Sequence, residues 1–230
     1  MNELIGEIMN CDCFEGMKLI KSGSVDAIIC DPPYGTIKGL GGDIEKYKRL
    51  SNSSWDVTLD NTEMFKECER VLRERGKLIL FSQEPYTSKL IIEAHNNLPF
   101  NYRLVWLKDH FANCLVVNKA PVNYYEDILV FSKKYDTLNL NPLRNYAREL
   151  FKHIGKTKKR IFQDMGNQSV CHFMRTESVQ FGICTEDCYN RLVELYKIDE
   201  WSHFKTFKEV FIMNEKSESI FNLWEGKKLK

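Results

Sequence analysis

No apolar run in this chain of 230 residues approaches the roughly 20 residues a helix needs to span a bilayer. A transmembrane helix is therefore not expected. The start, Met1-Asn2-Glu3-Leu4, lacks the charged and apolar regions of a secretory signal peptide. Net charge is nearly absent as well: 33 Lys and Arg against 32 Asp and Glu leave a formal +1. No global field attracts a polyanion, and any basic surface must be local. The Cys-x-x-Cys knuckle is missing too. The eight cysteines (Cys11, Cys13, Cys30, Cys68, Cys114, Cys171, Cys184, Cys188) are scattered, some of them within apolar segments. That is the pattern of free thiols in a reducing cytoplasm. Cys171-His172 and the pair Cys184 and Cys188 offer ligand types suited to zinc. Without the knuckle, and with part of the set on expected helices, no metal site is assigned. The apolar and charged fractions, 43% and 28%, are those of a globular protein. The length suits one large domain, or one domain with a substantial insert.

What is present centres on Asp31-Pro32-Pro33-Tyr34. Val25-Asp26-Ala27-Ile28-Ile29-Cys30 before it is short, rich in β-branched residues and preceded by the turn residues Ser22-Gly23-Ser24. It reads as a buried strand. The four residues then lie just past a strand's carboxyl end, where open α/β sheets place their ligand crevices. Two prolines fix φ in succession and remove two backbone donors, leaving carbonyls to accept. A carboxylate, a rigid carbonyl-bearing loop and an aromatic face together can hold a flat, amine-bearing ring. Asp31 and the Pro32 carbonyl would accept from the amine, and Tyr34 would stack on the ring.

The flanking pattern is an alternation of strands and helices. Residues 5–13 read as a short strand ending in a turn, and 14–20 carry helical spacing. Asp12 is a helix N-cap by type. Residues 62–75 form a helical pattern with Met64, Phe65, Cys68, Val71 and Leu72 on one face, stopped by Gly76. Strands are expected at 77–82, 104–108 and 127–131, with a helix at 85–94. This succession predicts an α/β sheet with helical crossovers.

Asp-Pro-Pro-Tyr after an apolar strand resembles the signature of amino-group DNA methyltransferases, which methylate the exocyclic amine of adenine or cytosine. The runs RVLRERGKLILFS, RLVWLKDH and YYEDILVFSKK resemble the middle motifs of the same family, so the likeness covers roughly residues 5–134. It implies a Rossmann-like S-adenosylmethionine-dependent methyltransferase fold carrying a helical DNA-recognition insert. It implies catalytic roles for Asp31, Pro32, Pro33 and Tyr34, and cofactor contacts from Asp12, Cys13 and Asp31. Adenine is implied over cytosine, because adenine members more often begin this motif with Asp and cytosine members with Ser; N4-cytosine transfer is the alternative. The family usually has His-Glu where this chain has Tyr125-Glu126, and Tyr125 would line the target-base pocket. Gly39-Leu40-Gly41-Gly42 lacks the Lys-Ser/Thr of a P-loop and the dinucleotide spacing. It reads as loop, either solvated or touching DNA through Lys38, Lys46, Lys48 and Arg49.

After Lys134 the character changes to helical and basic, with Arg144, Arg148, Lys152, Lys156, Lys158, Lys159 and Arg160. Tyr146, Leu150, Phe151 and Ile154 give one helical face, broken by Gly155. Thr157 caps a second helix through Met165, Gly166-Asn167 turns the chain, 168–175 makes a third short helix, and Thr185 caps a fourth. The array reads as a helix-turn-helix core. Its third helix would offer Gln168, His172 and Arg175 to base edges, while Lys156, Lys158, Lys159 and Arg160 meet phosphates. A helical insert with a solvated basic face is the plainer alternative. IGKTKKRIFQDMGNQ and VQFGICTEDCYNRL are similar to the recognition insert of phage-type members of the family.

Methyltransferases of this arrangement carry a Phe-x-Gly-x-Gly loop after the insert, and no such motif follows Asp31. The expected organisation is thus a catalytic α/β region at 1–138, incomplete relative to the family, a helix-turn-helix-like target-recognition region at 139–216, and a polar tail at 217–230. The expected activity is methyl transfer to adenine N6 of duplex DNA by base flipping, as in restriction-modification. The alternative is a truncated or split part that binds DNA and needs a second chain for the cofactor half. The expected partner is double-stranded DNA, with a homo-oligomer also considered, in the cytoplasm of a bacterial or phage-encoded system and with no membrane.

Overall fold

A computed structural model of the chain describes residues 6–36, 55–111 and 121–215. The glycines at 39–42 with their neighbouring lysines, Cys114 and the tail at 217–230 lie outside the described residues. The chain divides into two compact units. One comprises residues 1–72 and 76–133, the other residues 134–230 together with the short segment 73–75.

The first unit holds a four-stranded sheet in the order β1-β2-β4-β3. β1 is Val25–Cys30, β2 Leu72–Ser82, β3 Phe100–Leu107 and β4 Tyr125–Ser132. β1 and β2 run parallel, and β2, β4 and β3 pair antiparallel. The parallel pair requires a crossover, which is supplied by α2, Asn61–Val71. Asp60 starts α2 by accepting from Glu63 N at 3.1 Å. Its inward face is the one expected from spacing: Met64, Phe65, Cys68 and Val71 are all buried. With α3, Tyr86–Ile92, it covers Leu78, Leu80, Leu129 and Phe131 of the sheet.

Two expectations fail in this unit. α2 does not run to Gly76. The Lys133 ammonium, 3% exposed, takes the carbonyls of Glu69 and Leu72 at 2.6 and 2.9 Å. A cation on the last carbonyls ends the helix favourably, and Leu72 turns extended into β2. Gly76 is interior to that strand. Nor do residues 6–11 form a strand. A strand needs a ladder partner, and among the described residues none pairs with this stretch; Ile8 is 98% exposed. The chain goes directly into α1, Cys13–Lys18.

The second unit is helical: α4 is Pro142–Ile154, α5 Lys158–Met165, α6 Glu186–Tyr196 and α7 Phe207–Glu215, with a 3-10 turn at Ile198–Glu200. The sequence signals at its helix ends act as read. Asn141, Thr157 and Thr185 each accept from a backbone N–H three residues on. Gly155 and Gly166 close α4 and α5 in the left-handed conformation, at φ 63 and 69. The core is Leu143, Ala147, Leu150, Ile161, Met165, Phe173, Tyr189 and Leu192 among others. Tyr146 and Tyr189 share a buried hydroxyl–hydroxyl bond of 2.6 Å. The Thr185 cap holds the start of the helix that carries Tyr189, so Thr185→Ala should lower unfolding free energy by about 1 kcal/mol. Urea denaturation of the two proteins measures it.

Residues 168–175 are not a helix. Their buried members Val170, Phe173 and Met174 have helical spacing, which is why the pattern suggested one. The backbone instead makes a chain of turns. Asn167 Oδ1 accepts from Ser169 N at 2.9 Å and also bonds the Ser169 hydroxyl. Such short side-chain bonds compete with a helical ladder.

Candidate active site and nucleic-acid surface

β1 ends at Cys30, so Asp31 is the first residue past the carboxyl end of a parallel strand. Asp31, Pro32, Pro33 and Tyr34 line a cleft of 330 Å³ with Thr36, Trp55 and Asp56. Pro32 is buried and Asp31 exposed. The Tyr34 hydroxyl donates to Asp31 Oδ1 at 2.6 Å. Asp31 Oδ2 and the Pro32 carbonyl accept no protein hydrogen bond among the described residues. Gly35 follows at φ 69, and a Cβ there would meet Thr58 Cγ2 at 3.0 Å. Its N–H donates to Asp56 Oδ1 at 2.9 Å, which fastens the loop's far end. Burial, then the Asp31 carboxylate, push the Tyr34 phenol above the ordinary tyrosine range, with Glu126 adding to the effect. Tyr34 therefore stays a neutral donor.

The cleft wall is braced from behind. The Tyr34 and Tyr86 rings lie 6.2 Å apart. Tyr86 donates to Asn61 Oδ1 at 2.8 Å, and Asn61 donates to Glu93 at 2.7 Å. Tyr125 opens β4, 43% exposed. Glu126 beside it is paired with Lys108, whose ammonium lies 4.8 Å from the centre of the Trp106 ring. Neither Tyr125 nor Glu126 lines the cleft. Trp55 and Asp56 do, and the sequence reading passed them over; no local pattern marks them.

Asp12 is the cap it was expected to be. It accepts from Phe14 N at 2.9 Å and Glu15 N at 3.3 Å. Both bonds fall on Oδ1, and Oδ2 has no protein partner among the described residues. Burial raises the Cys30 thiol, followed by the influence of Cys13 and Asp31. Cys13 is thus within electrostatic reach of the end of β1, which brings the start of α1 to the same edge of the sheet as Asp31. The line of side chains around the cleft does not itself include Asp12 or Cys13.

In the second unit the expected DNA contacts separate into two kinds. Lys156, Lys158 and Lys159 are exposed, with no partner among the described residues. Arg160 is exposed but bonded to Asp164, at 2.9 Å, which removes it from the set of unpaired cations. Gln168 is exposed in the turn after α5. His172 and Arg175 do not project from a helix. Both are bound to Gln180, His172 Nδ1 to its carbonyl at 3.0 Å and Arg175 to its side-chain oxygen. Lys158 and Arg175 border one cleft of 280 Å³ with Met174, Thr176, Glu177 and Ser178. Among the described residues no cluster of His, Cys, Asp and Glu is arranged to hold a metal, and no helix is long and apolar enough to cross a membrane.

The family model for DNA methylases of the N6/N4 type matches residues 25–230. This chain belongs to the DNA methylase family. Among curated relatives of this methylase, DNA adenine methyltransferase YhdJ of Escherichia coli (strain K12) is 27% identical over 134 residues, 58% of this chain and 43% of that protein. The type II methyltransferase M.HpaI of Haemophilus parainfluenzae is 28% identical over 142 residues, 58% of this chain and 41% of that protein. The methylase thus spans less than half the length of these curated relatives. A DNA modification methylase of Thermus thermophilus, solved with S-adenosyl-L-methionine, is 18% identical, with 63% of this chain and 64% of that one covered at a TM-score of 0.36.

Proposed function

We propose that this chain carries the catalytic loop and the DNA-reading unit of a site-specific DNA methyltransferase acting on the adenine N6 amine of duplex DNA. The observation that carries the reading is the cleft at the end of β1. A carboxylate oxygen of Asp31 and the carbonyl of Pro32 have no protein partner among the described residues, next to the neutral ring of Tyr34. These are two acceptors and a stacking face, which is what an exocyclic amine on a flat ring requires. The name of YhdJ, a DNA adenine methyltransferase, and the Asp at the motif's first position favour adenine over cytosine.

A base inside the duplex cannot reach such a cleft, so the target leaves the stack. Asp31 Oδ2 and the Pro32 carbonyl accept the two amine protons and hold the nitrogen lone pair toward the methyl donor. The charge that grows on that nitrogen during transfer is met by the Asp31 carboxylate, and positioning with electrostatics supplies most of the rate. Tyr34 must release Asp31 Oδ1 or keep it oriented while its ring covers the base. S-Adenosyl-L-methionine, when bound, supplies an electrophilic methyl group. The residues suit its adenine end: Oδ2 of Asp12 can accept from the ring amine, and Cys13 follows it at the same sheet edge as Asp31.

Incubating the chain with duplex DNA and isotope-labelled S-adenosyl-L-methionine tests the proposal. Label recovered in the DNA, and absent when the duplex is omitted, is the expected result; DNA without label contradicts it. Charge is tested separately. Replacing Lys158 and Lys159 by alanine should weaken binding to all duplexes alike and flatten the salt dependence, because each phosphate contact contributes about 0.9 to its logarithmic slope. An unchanged slope in anisotropy titrations would remove these lysines from the interface.

A further inference from the structure

We infer that the loop at residues 176–181, and not a recognition helix, reads DNA sequence in this chain, and that Gln180 is a specificity-determining residue within it. The inference rests on the proposed action on duplex DNA.

The loop is held from beneath by three guanidinium groups. Arg144, 3% exposed, pairs through Nε and NH2 with the buried Glu74 carboxylate, which also accepts from Asn141 at 2.7 Å. Its remaining nitrogen donates to the carbonyls of Thr176 and Ser178, the latter at 3.1 Å. The same guanidinium lies over the Phe181 ring, 4.7 Å from its centre. Arg75 donates to the Phe181 carbonyl at 2.7 Å, and Arg148 holds the Glu177 carboxylate at 2.7 Å. Thr176, Glu177, Ser178 and Phe181 are therefore fixed. Val179 and Gln180 form the outward tip, and Val179 is 48% exposed.

Gln180 then orders the two side chains beside it. Its side-chain oxygen accepts from Arg175, and its backbone carbonyl meets His172 Nδ1 at 3.0 Å. A carbonyl only accepts, so the His172 proton is on Nδ1 and the neutral ring offers Nε2 as an acceptor. Arg175 keeps its other N–H donors, and the Gln180 amide nitrogen keeps its own. The result is a preset row of donors around one guanidinium whose plane is already chosen. Such an Arg matches the O6 and N7 acceptors of guanine in the major groove. Lys158 across the 280 Å³ cleft, with Lys156 and Lys159 nearby in sequence, supplies the phosphate attraction. Glu177, the acid on the loop, is neutralised by Arg148. An exposed tip on a rigid base, with fixed donors and flanking cations, fits a duplex groove.

The test uses the full chain. A preferred duplex is selected from a randomised pool by the wild type, and binding to it and to a shuffled duplex is followed by anisotropy across a salt series. Gln180→Ala should lose preference at one base pair by about fivefold or more, the low end of what a bidentate base contact gives, with affinity for the shuffled duplex and the salt slope unchanged. Gln180→Glu, which keeps an acceptor for Arg175, should retain part of that preference. Wild-type preference in Gln180→Ala overturns the inference and leaves the action on DNA standing. A wild type with no affinity for any duplex overturns both.

Discussion

Replacing Asp31 by alanine abolishes methyl transfer and leaves duplex binding largely as it was. The carboxylate stands at the end of β1 with one oxygen held by the Tyr34 hydroxyl at 2.6 Å. Its second oxygen is the charged acceptor in the 330 Å³ cleft that is left for an amine. Alanine removes the negative charge that meets the developing positive charge on the amine, and it releases the Tyr34 ring from its fixed orientation. The cations assigned to phosphate, Lys156, Lys158 and Lys159, belong to the helical unit, so binding has no reason to follow. Single-turnover transfer and equilibrium binding, measured on the same preparation, separate the two effects. Residual transfer within tenfold of wild type, about 1.4 kcal/mol of barrier, would remove Asp31 from its role.

Arg144→Ala destabilises the helical unit by about 3–5 kcal/mol, the usual cost of leaving a buried charge without its partner. Glu74 and Arg144 are 6% and 3% exposed, so the abandoned carboxylate cannot turn to water. The same change frees the carbonyls of Thr176 and Ser178 and loosens the loop they belong to. Replacing both members of the pair, Glu74→Leu with Arg144→Met, should recover only part of the loss. It removes the orphaned charge but not the orphaned carbonyls, and buried unpaired acceptors cost about 1–3 kcal/mol each. Denaturant unfolding of the single and double variants decides the matter. A double variant as stable as wild type would show that the carbonyl bonds contribute nothing.

The elements legible in the sequence were those specified locally. β1 follows from a short β-branched run, and α4 and α5 from the capping side chains Asn141 and Thr157 and the left-handed glycines Gly155 and Gly166. The catalytic loop was legible because its four residues are contiguous and chemically distinctive. The rest depends on contacts between distant segments. Lys133 ends α2 by reaching back 61 residues to Leu72, and nothing near Leu72 announces it. Glu74 and Arg144 are 70 residues apart, so the platform beneath residues 176–181 leaves no local trace. Residues 168–175 were misread because burial at Val170, Phe173 and Met174 mimics a helix, although Asn167 and Ser169 divert the backbone into turns. Asp56 was missed for a similar reason: its bond to Gly35 spans 21 residues.

The identity of the methylated nucleoside tests the central claim most directly. DNA treated with the chain and S-adenosyl-L-methionine is hydrolysed to nucleosides and separated by mass spectrometry. A cleft that offers Asp31 and the Pro32 carbonyl to an adenine amine predicts N6-methyldeoxyadenosine that disappears with Asp31→Ala. N4-methyldeoxycytidine in its place, or no methylated nucleoside at all, would contradict the account.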